Sequence, residues 1–350
     1  MTHALGGLLT SASFVTMGFG ALAAGAAIRS FGVARGVTAA TGVTLLCGIA
    51  RSGAPDAVLV VLVGIPLGLA IGLVTSLMPL VVREGFIGRI GVGTSVYVAG
   101  LSVGSWLAFA SAAGVAQIVG GWRPTLLVFA ALGFFLMLPW IRTTPAVEMT
   151  SPTRARLIPQ LPSSRMAWLS VAIFALQSSL FFGLNTWLPV AHIERGWSEI
   201  GAGLLGSALI AASLLGSLLV AMLRDGAHST DRYLVMASLA AGIGCLGFAV
   251  LPDGSWIWTA LVGCSVGVLF VLSLKLPVEL GSNAQEVASL GAVMLALGYW
   301  TGGITPAVLG LIRDSSGAFT LCFVVLSTLA LILLIVSLAF SNARRGVEPR

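Results

Sequence analysis

Eleven long apolar stretches alternate with polar gaps along this chain. Most of them can cross about 30 Å of hydrocarbon, which takes roughly 20 helical residues. Lipid leaves every backbone N–H and C=O to be paired internally, and strict period-two alternation is absent, so helices are favoured over barrel strands. The apolar stretches are 4–28, 36–50, 57–82, 90–122, 124–141, 166–191, 200–223, 233–252, 254–274, 287–312 and 315–343. The pattern therefore predicts an all-α, polytopic membrane protein with eleven transmembrane helices.

The basic residues distinguish the two sides of the membrane. When the gaps are assigned alternately, 14 of the 18 Lys and Arg residues fall on one side, and the other side receives Arg51, Arg123, Arg195 and Arg313. Loops rich in Lys and Arg stay in the cytoplasm, so the first side is predicted to be cytoplasmic. The C-terminus then lies inside and, because the number of helices is odd, the N-terminus lies outside. The expected location is the bacterial inner (plasma) membrane.

The longest polar gap, at 142–165, divides the chain. It is rich in Pro, Ser, Thr and Arg, which is typical of a linker. The predicted organisation is an N-terminal bundle of five spans (1–141), this cytoplasmic linker, a C-terminal bundle of six spans (166–343) and a cytoplasmic tail (344–350). The halves correspond weakly at an offset of about 200 residues, as parallel transporter repeats do. At that offset the first half is short of one helix at its front.

Composition excludes several classes of protein. Hydrophobic residues make up 57% of the chain and charged residues 9%, with a mean hydropathy of +1.04, so a soluble domain could not cover its apolar surface. The net charge of +6 follows from topology, and no nucleic-acid partner is expected. Neither a Walker motif nor GxSxG nor an intramembrane HExxH occurs, which gives no support to ATP-driven transport or catalysis. The expected partners are lipid and a small-molecule solute, and a monomer is predicted.

Cysteines and histidines lack the spacing of a metal site. The four cysteines all lie in apolar stretches without a CxxC pair, and the three histidines lie in or beside loops. The prediction is therefore four free thiols, no metal and no cofactor.

The most informative polar residues lie in 177–198. Gln177 and Asn185 are eight residues apart, which places them about two turns apart on one face of a helix. An amide in hydrocarbon needs a partner, which a polar solute in a water-filled cavity or a neighbouring helix can supply. Trp187 is typical of the aromatic belt at a membrane surface, but it is also a candidate for the cavity wall.

Four further residues are candidates for contact with a solute. Tyr97 and Tyr299 lie at mid-span depth at corresponding places in the two halves. Thr75 is a weaker candidate, because a hydroxyl can bond to its own helix backbone. Arg51 ends a short apolar run, so it either extends toward the outer surface, which its position favours, or lines the cavity.

Small residues and prolines indicate where helices approach closely or bend. Glycines four residues apart allow close helix contact, and a proline within a span removes a backbone hydrogen bond. Both features occur in static bundles as well as in moving transporters. The candidate packing or gating residues are Gly64, Gly68, Gly72, Gly100, Gly104, Gly298, Gly302, Pro79, Pro189 and Pro306.

Four stretches resemble the major facilitator superfamily, and more narrowly its cyanate and 2-nitroimidazole transporter branch. GLLTSASFVTMGFGALAAGAAIRSFGVARG resembles the branch's second helix and the following basic turn, and LVTSLMPLVVREGFIGRIGVGTSVYVAG resembles its fourth helix and the start of its fifth. QSSLFFGLNTWLPVAHIERGWS resembles the seventh helix, and LGYWTGGITPAVLGLIRDSSGAF resembles the eleventh. The resemblance extends over nearly the whole chain.

This resemblance implies two six-helix bundles that alternate access to a central cavity. The family's first helix has no counterpart here, so residues 4–28 correspond to its second helix. Thr75 stands where the branch tends to have Asn, and Leu295 where it tends to have Gln. The expected function is secondary transport of a small solute, either a cyanate-like anion or a nitroimidazole-like compound, although the less polar cavity speaks against an anion. The alternatives are a drug or metabolite exporter and a non-transporting membrane protein or truncated relic that lacks the first helix.

Overall fold

A computed structural model describes residues 2–85, 90–143, 162, 164–222, 227–282 and 284–345. Within these residues the chain is helical, without a strand, and each long helix is apolar enough to cross a membrane. The helices are α1 (His3–Phe31), α2 (Val33–Ser52), α3 (Ala57–Gly85), α4 (Ile90–Val119), α5 (Trp122–Thr143), α6 (Arg165–Glu194), α7 (Glu199–Met222), α8 (Ala227–Val250), α9 (Ser255–Leu280), α10 (Ala284–Ser316) and α11 (Thr320–Arg345), with a short 3-10 helix at Pro252–Gly254. The predicted all-α fold with eleven spans is confirmed.

Local chemistry accounts for several helix ends. Ser164 precedes α6 and its hydroxyl accepts a hydrogen bond from the Ala167 N–H at 3.1 Å, which caps the helix. Gly32 is the single residue between α1 and α2, and its φ of 74° reverses the chain at little steric cost because glycine has no Cβ. Successive helices therefore run antiparallel. We name the two ends of the protein the His3 end, where α1 begins, and the linker end, where α5 ends and α6 begins.

The helix contacts repeat from one half of the chain to the other. In the first half α1 packs on α3, and α2 packs on α3 and α5; in the second half α7 packs on α9, and α8 packs on α9 and α11. Helix α6 contacts α7, α9, α10 and α11, and none of the described helices takes the equivalent place in the first half. Burial reflects this difference, because 67% of the α6 span is buried while none of the α4 span is.

Most of the glycines predicted to pack closely do so. A Cβ at Gly68 would collide with the backbone of Ser13, and one at Gly72 with that of Met17, so α1 and α3 touch through their backbones. A Cβ at Gly64 would lie 2.9 Å from its nearest neighbour, Ser13 Oγ. Gly298 and Gly302 face α6 in the same way, with a Cβ at Gly302 only 2.7 Å from the Phe182 ring. These contacts fit the role of small residues where no hydrophobic force drives helix association.

Gly100 and Gly104 are different. A Cβ at either position would meet nothing within 4 Å. The close packing predicted for this pair is therefore not seen among the described residues in this conformation.

Helices α6 and α10 continue past their prolines. Pro189 lies within α6 and Pro306 within α10. Pro79 lies within α3, but its side chain is outside the described residues. The prolines thus mark positions inside spans rather than helix ends, and a gating role for them stays a prediction.

Candidate functional site

The two halves of the chain meet along α1 and α10. Gly7 of α1 lies against the Pro306 carbonyl, with 2.5 Å between a Cβ at Gly7 and that oxygen, and a Cβ at Gly303 of α10 would be 2.7 Å from the Val15 nitrogen. The Ser11 hydroxyl accepts a hydrogen bond from the Ala307 N–H at 3.2 Å. The close contacts that the described side chains make between the halves lie at mid-depth or toward the His3 end. There the two bundles are held together.

Aromatic rings cross this boundary at about mid-depth. Phe14 of α1 stacks on Phe182 of α6, with 4.1 Å between ring centroids and 16° between planes, and Tyr299 of α10 lies 6.3 Å from Phe182. We call Phe14, Phe182 and Tyr299 the aromatic layer. Such stacked or tilted ring pairs contribute about 0.5–1.5 kcal/mol beyond their buried area. The layer separates the closed contact at the His3 end from the part of the boundary toward the linker end.

The two predicted tyrosines lie on opposite halves and near each other. Tyr299 of α10 is almost fully buried, and Tyr97 of α4 is half-buried. Thr75, in contrast, donates its hydroxyl hydrogen to the Ile71 carbonyl at 2.8 Å in its own helix, which is the alternative that made it a weak candidate.

Gln177 is buried between helices of the second half. It is 2% exposed, and its amide nitrogen lies 3.5 Å from the Val266 carbonyl of α9, a long hydrogen bond. The Ser178 hydroxyl lies 3.4 Å from the Gln177 carbonyl oxygen. This geometry supports the interhelical interpretation of Gln177, since its amide has protein partners.

Asn185 and Trp187 occupy different environments on the same helix. Asn185 is half-buried, and its Oδ1 has no hydrogen-bond partner among the described atoms. Trp187 is 4% exposed and donates its indole N–H to the Pro306 carbonyl at 2.9 Å. Its predicted place in an aromatic belt is wrong, because it is enclosed between α6, α10 and the start of α1. Asn185 Oδ1 is therefore a buried acceptor that the described atoms leave without a hydrogen bond.

Arg51 lies inside the first bundle. Its Nε donates to the Val60 carbonyl and its Nη2 to the Leu9 carbonyl, both at 3.3 Å, so the side chain reaches between α1 and α3. These contacts lie near the His3 ends of α1 and α3, so the preferred interpretation, extension toward the membrane surface, stays a prediction. Arg51 lines a cavity of about 610 Å³, together with Thr10, Ser13 and Arg123.

A charged cluster at the His3 end was not predicted. His3 of α1 lies between Glu194, at the end of α6, and Asp314, near the end of α10, and Arg313 pairs with Glu194 at 2.8 Å. Neither acid was among the residues singled out from the sequence. Their separation from His3 by 191 and 311 positions leaves no local pattern to detect.

The sequence of this chain is similar to those of known membrane proteins over most of its length. The Major Facilitator Superfamily matches residues 1–306. This chain belongs to the major facilitator superfamily. The 2-nitroimidazole transporter of Escherichia coli (strain K12) is 27% identical over 344 residues, which are 97% of this chain and 86% of that protein. The cyanate transport protein CynX of the same organism is 26% identical over 351 residues, covering 98% of this chain and 90% of that protein.

A third similar protein supports the same assignment. An uncharacterized transporter, YycB of Bacillus subtilis (strain 168), is 25% identical over 267 residues, or 75% of this chain and 65% of that protein. The predicted membership of this superfamily and the resemblance to its cyanate and 2-nitroimidazole branch are confirmed. The protein is a multi-pass membrane transporter.

Proposed function

We propose that this chain carries a small, flat, largely uncharged heteroaromatic solute of the nitroimidazole type across the bacterial inner membrane by alternating access. The solute would bind beside the aromatic layer, on the side toward the linker end, between Tyr97 and Tyr299. The linker end would face the cytoplasm, as the distribution of basic residues predicts. A monomer contains both halves of such a site, so no second copy is needed.

The aromatic layer is the observation that carries this proposal. Phe182 contacts Phe14 on one side and Tyr299 on the other, so it presents a ring at the boundary where the halves separate. A flat heteroaromatic ring stacks on such a surface, and the tyrosine hydroxyls and Asn185 Oδ1 supply hydrogen-bonding groups around it. Sites for small molecules commonly combine apolar walls with a few polar groups.

The contacts between the halves support alternating access. The described side chains make close contacts from mid-depth to the His3 end, while Gly100 and Gly104 of α4 have no neighbour within 4 Å of a Cβ. Packed interfaces switch between discrete arrangements. A rocking of the two bundles that closes the linker end would therefore open the contacts at the His3 end. The conformation described here is the one closed at the His3 end.

Transport of 2-nitroimidazole into membrane vesicles of both orientations tests the proposal. Phe182→Leu should weaken apparent affinity about two- to tenfold, the effect of losing one or two ring contacts. The matched control is Phe135→Leu, because Phe135 on α5 is 67% exposed and is expected to face lipid. The vesicle orientation in which the compound accumulates shows whether the protein exports or imports it. Absence of transport in both orientations would exclude this solute, and equal effects of the two variants would exclude the site.

Arg51 favours a second candidate, a small anion. A guanidinium has five N–H donors, and Arg51 shares its cavity with Arg123 and with the Ser13 hydroxyl, which is buried and has no partner among the described atoms. Cyanate uptake lost in Arg51→Gln but retained in the exposed Arg142→Gln would support this candidate. Uptake unchanged in both variants would exclude it.

A further inference from the structure

A histidine of the first half is clamped between two carboxylates of the second half. His3 Nδ1 lies 2.8 Å from Asp314 Oδ1, and His3 Nε2 lies 2.9 Å from Glu194 Oε1. The backbone N–H groups of His3 and Ala4 also donate to Asp314, at 3.1 and 2.8 Å. We call His3, Glu194 and Asp314 the His3 cluster. It ties the first turn of α1 to the ends of α6 and α10.

The surroundings of His3 contain one further charge among the described residues. Arg313 of α10 donates to Glu194 through Nε and Nη2, at 3.0 and 2.8 Å, and so holds that carboxylate in place. The other neighbours of the imidazole are the rings of Trp187 and Phe319, with centroids 5.7 and 5.6 Å away. These rings cover the cluster on its inner side, but the His3 side chain remains 27% exposed.

The two short contacts require two protons. An ionised carboxylate only accepts hydrogen bonds, and an imidazole nitrogen without a proton is itself an acceptor. Each nitrogen-to-carboxylate contact therefore needs its own hydrogen. Either His3 is an imidazolium between two carboxylates, or it is a neutral ring beside one carboxylate and one carboxylic acid. If one proton leaves to water, one ring lone pair faces a carboxylate oxygen at under 3 Å and that contact is lost.

We propose that the His3 cluster is a proton-dependent latch that keeps the His3 end closed. This inference rests on the alternating access proposed above. With two protons bound, the cluster joins the bundles; when one proton passes to bulk water, the ring keeps a single N–H and one of the two bridges opens. Because the cluster is partly exposed at the His3 end, its protons exchange with water on that side. The latch therefore responds to the pH on the His3 side and carries no proton across the membrane.

Thiol accessibility beside the latch measures its closure without any solute. Ser11, which is 6% exposed and hydrogen-bonded across the boundary, is changed to Cys in a chain whose four native cysteines are replaced. Labelling by N-ethylmaleimide is followed in proteoliposomes at about pH 5.5 and about pH 8, between which an ordinary histidine changes charge. Each rate is divided by that of Ser316→Cys, an exposed thiol at the same end, because deprotonation accelerates the reaction of any thiol. Partly exposed ion pairs contribute under about 1 kcal/mol, so this relative labelling should be about two- to fivefold faster at the higher pH.

Variants of the cluster separate the latch from other effects of pH. His3→Gln can bridge only one carboxylate, so labelling should be fast at both pH values. The matched control is Glu199→Gln, because Glu199 is an exposed acid at the same end and outside the cluster; it should keep the dependence on pH. Equal labelling of the parent at both pH values, or a dependence on pH that survives in His3→Gln, would overturn the latch.

A non-ionisable variant distinguishes failure of the latch from failure of alternating access. Phe14→Ala removes the ring stack with Phe182 and should raise Ser11→Cys labelling at both pH values. If Phe14→Ala accelerates labelling while pH and His3→Gln do not, the His3 end opens but the latch is refuted. If none of these changes accelerates labelling, the end does not open, and alternating access fails together with the latch.

Discussion

Replacement of Arg344 by Met should destabilise the second bundle substantially. Arg344 of α11 is 8% exposed; its Nη2 lies 2.8 Å from Glu279 Oε2 of α9, and its Nε lies 3.5 Å from Asp231 Oδ1 of α8. The guanidinium thus joins three helices at the linker end. Removing one member of a buried ion pair costs about 3–5 kcal/mol, because the remaining charge stays buried.

The structure places the expected cost for Arg344 around the lower limit of that range and partly below it. The Glu279 side chain is 19% exposed, and Lys275 lies 3.8 Å from its Oε1, so water and a second cation compensate part of the loss. We therefore expect about 2–4 kcal/mol. At about 2–4 °C per kcal/mol for a chain of some 200 residues, the apparent Tm should fall by about 4–16 °C, and by less if the whole 350-residue chain unfolds together.

Reaction of the native thiols with a fluorogenic maleimide during heating in detergent measures this change. Cys245 and Cys322 are buried in the same bundle, so they react only when it unfolds. The matched control is Arg345→Met, since Arg345 is adjacent in sequence but exposed; its Tm should match that of the parent. Combining Arg344→Met with Glu279→Gln should recover part of the loss. Equal Tm values for the two single variants would refute the conclusion that Arg344 is a structural link.

Two further pairs of variants test the packing and the site. Gly68→Ala should lower the apparent Tm, because the added Cβ meets the Ser13 backbone. Gly104→Ala should leave the Tm unchanged, because no described atom lies within 4 Å of a Cβ at that position. Equal Tm values for the two variants would contradict the contact between α1 and α3. Asn185→Ala should slow transport of 2-nitroimidazole at unchanged Tm, whereas Gln177→Ala should lower the Tm, because the buried Gln177 amide bonds to α9. If Asn185→Ala reaches the membrane and transports at the parent rate, Asn185 does not belong to the site.

The helices were predictable because their length and apolarity are local properties of the chain. The same is true of Gly68 and Gly72, whose spacing indicated a close backbone contact that the structure shows between α1 and α3. Gly100 and Gly104 have the same spacing, yet no described atom lies within 4 Å of a Cβ at either position. Spacing specifies which surface of a helix is smooth, but only the tertiary arrangement decides whether another helix lies against it.

The orientation of polar side chains on α6 was beyond sequence reasoning for a related reason. Helical periodicity placed Gln177 and Asn185 on roughly one face, but α6 is apolar around its whole circumference and is surrounded by four helices. No polar face therefore distinguishes the cavity from a helix contact. Gln177 bonds to α9, whereas Asn185 Oδ1 has no partner among the described atoms. The His3 cluster escaped prediction because its members come from three distant segments.

The difference between the two bundles determines which residues can form a solute site. The Arg51 cavity is lined by α1, α3 and α5, by Arg51 at the end of α2, and by the segment that precedes α3; the counterparts of α1, α3 and α5, which are α7, α9 and α11, all contact α6. The cavity therefore occupies the place in the first bundle that α6 takes in the second. Among the described helices, only the second bundle has a wall of this kind, with Phe182 at the boundary. The proposed site would therefore use mainly residues of the second bundle, with Phe14 and Tyr97 as the contribution of the first. This is why Phe182→Leu and Asn185→Ala are more decisive tests of the site than any substitution on α3 or α5.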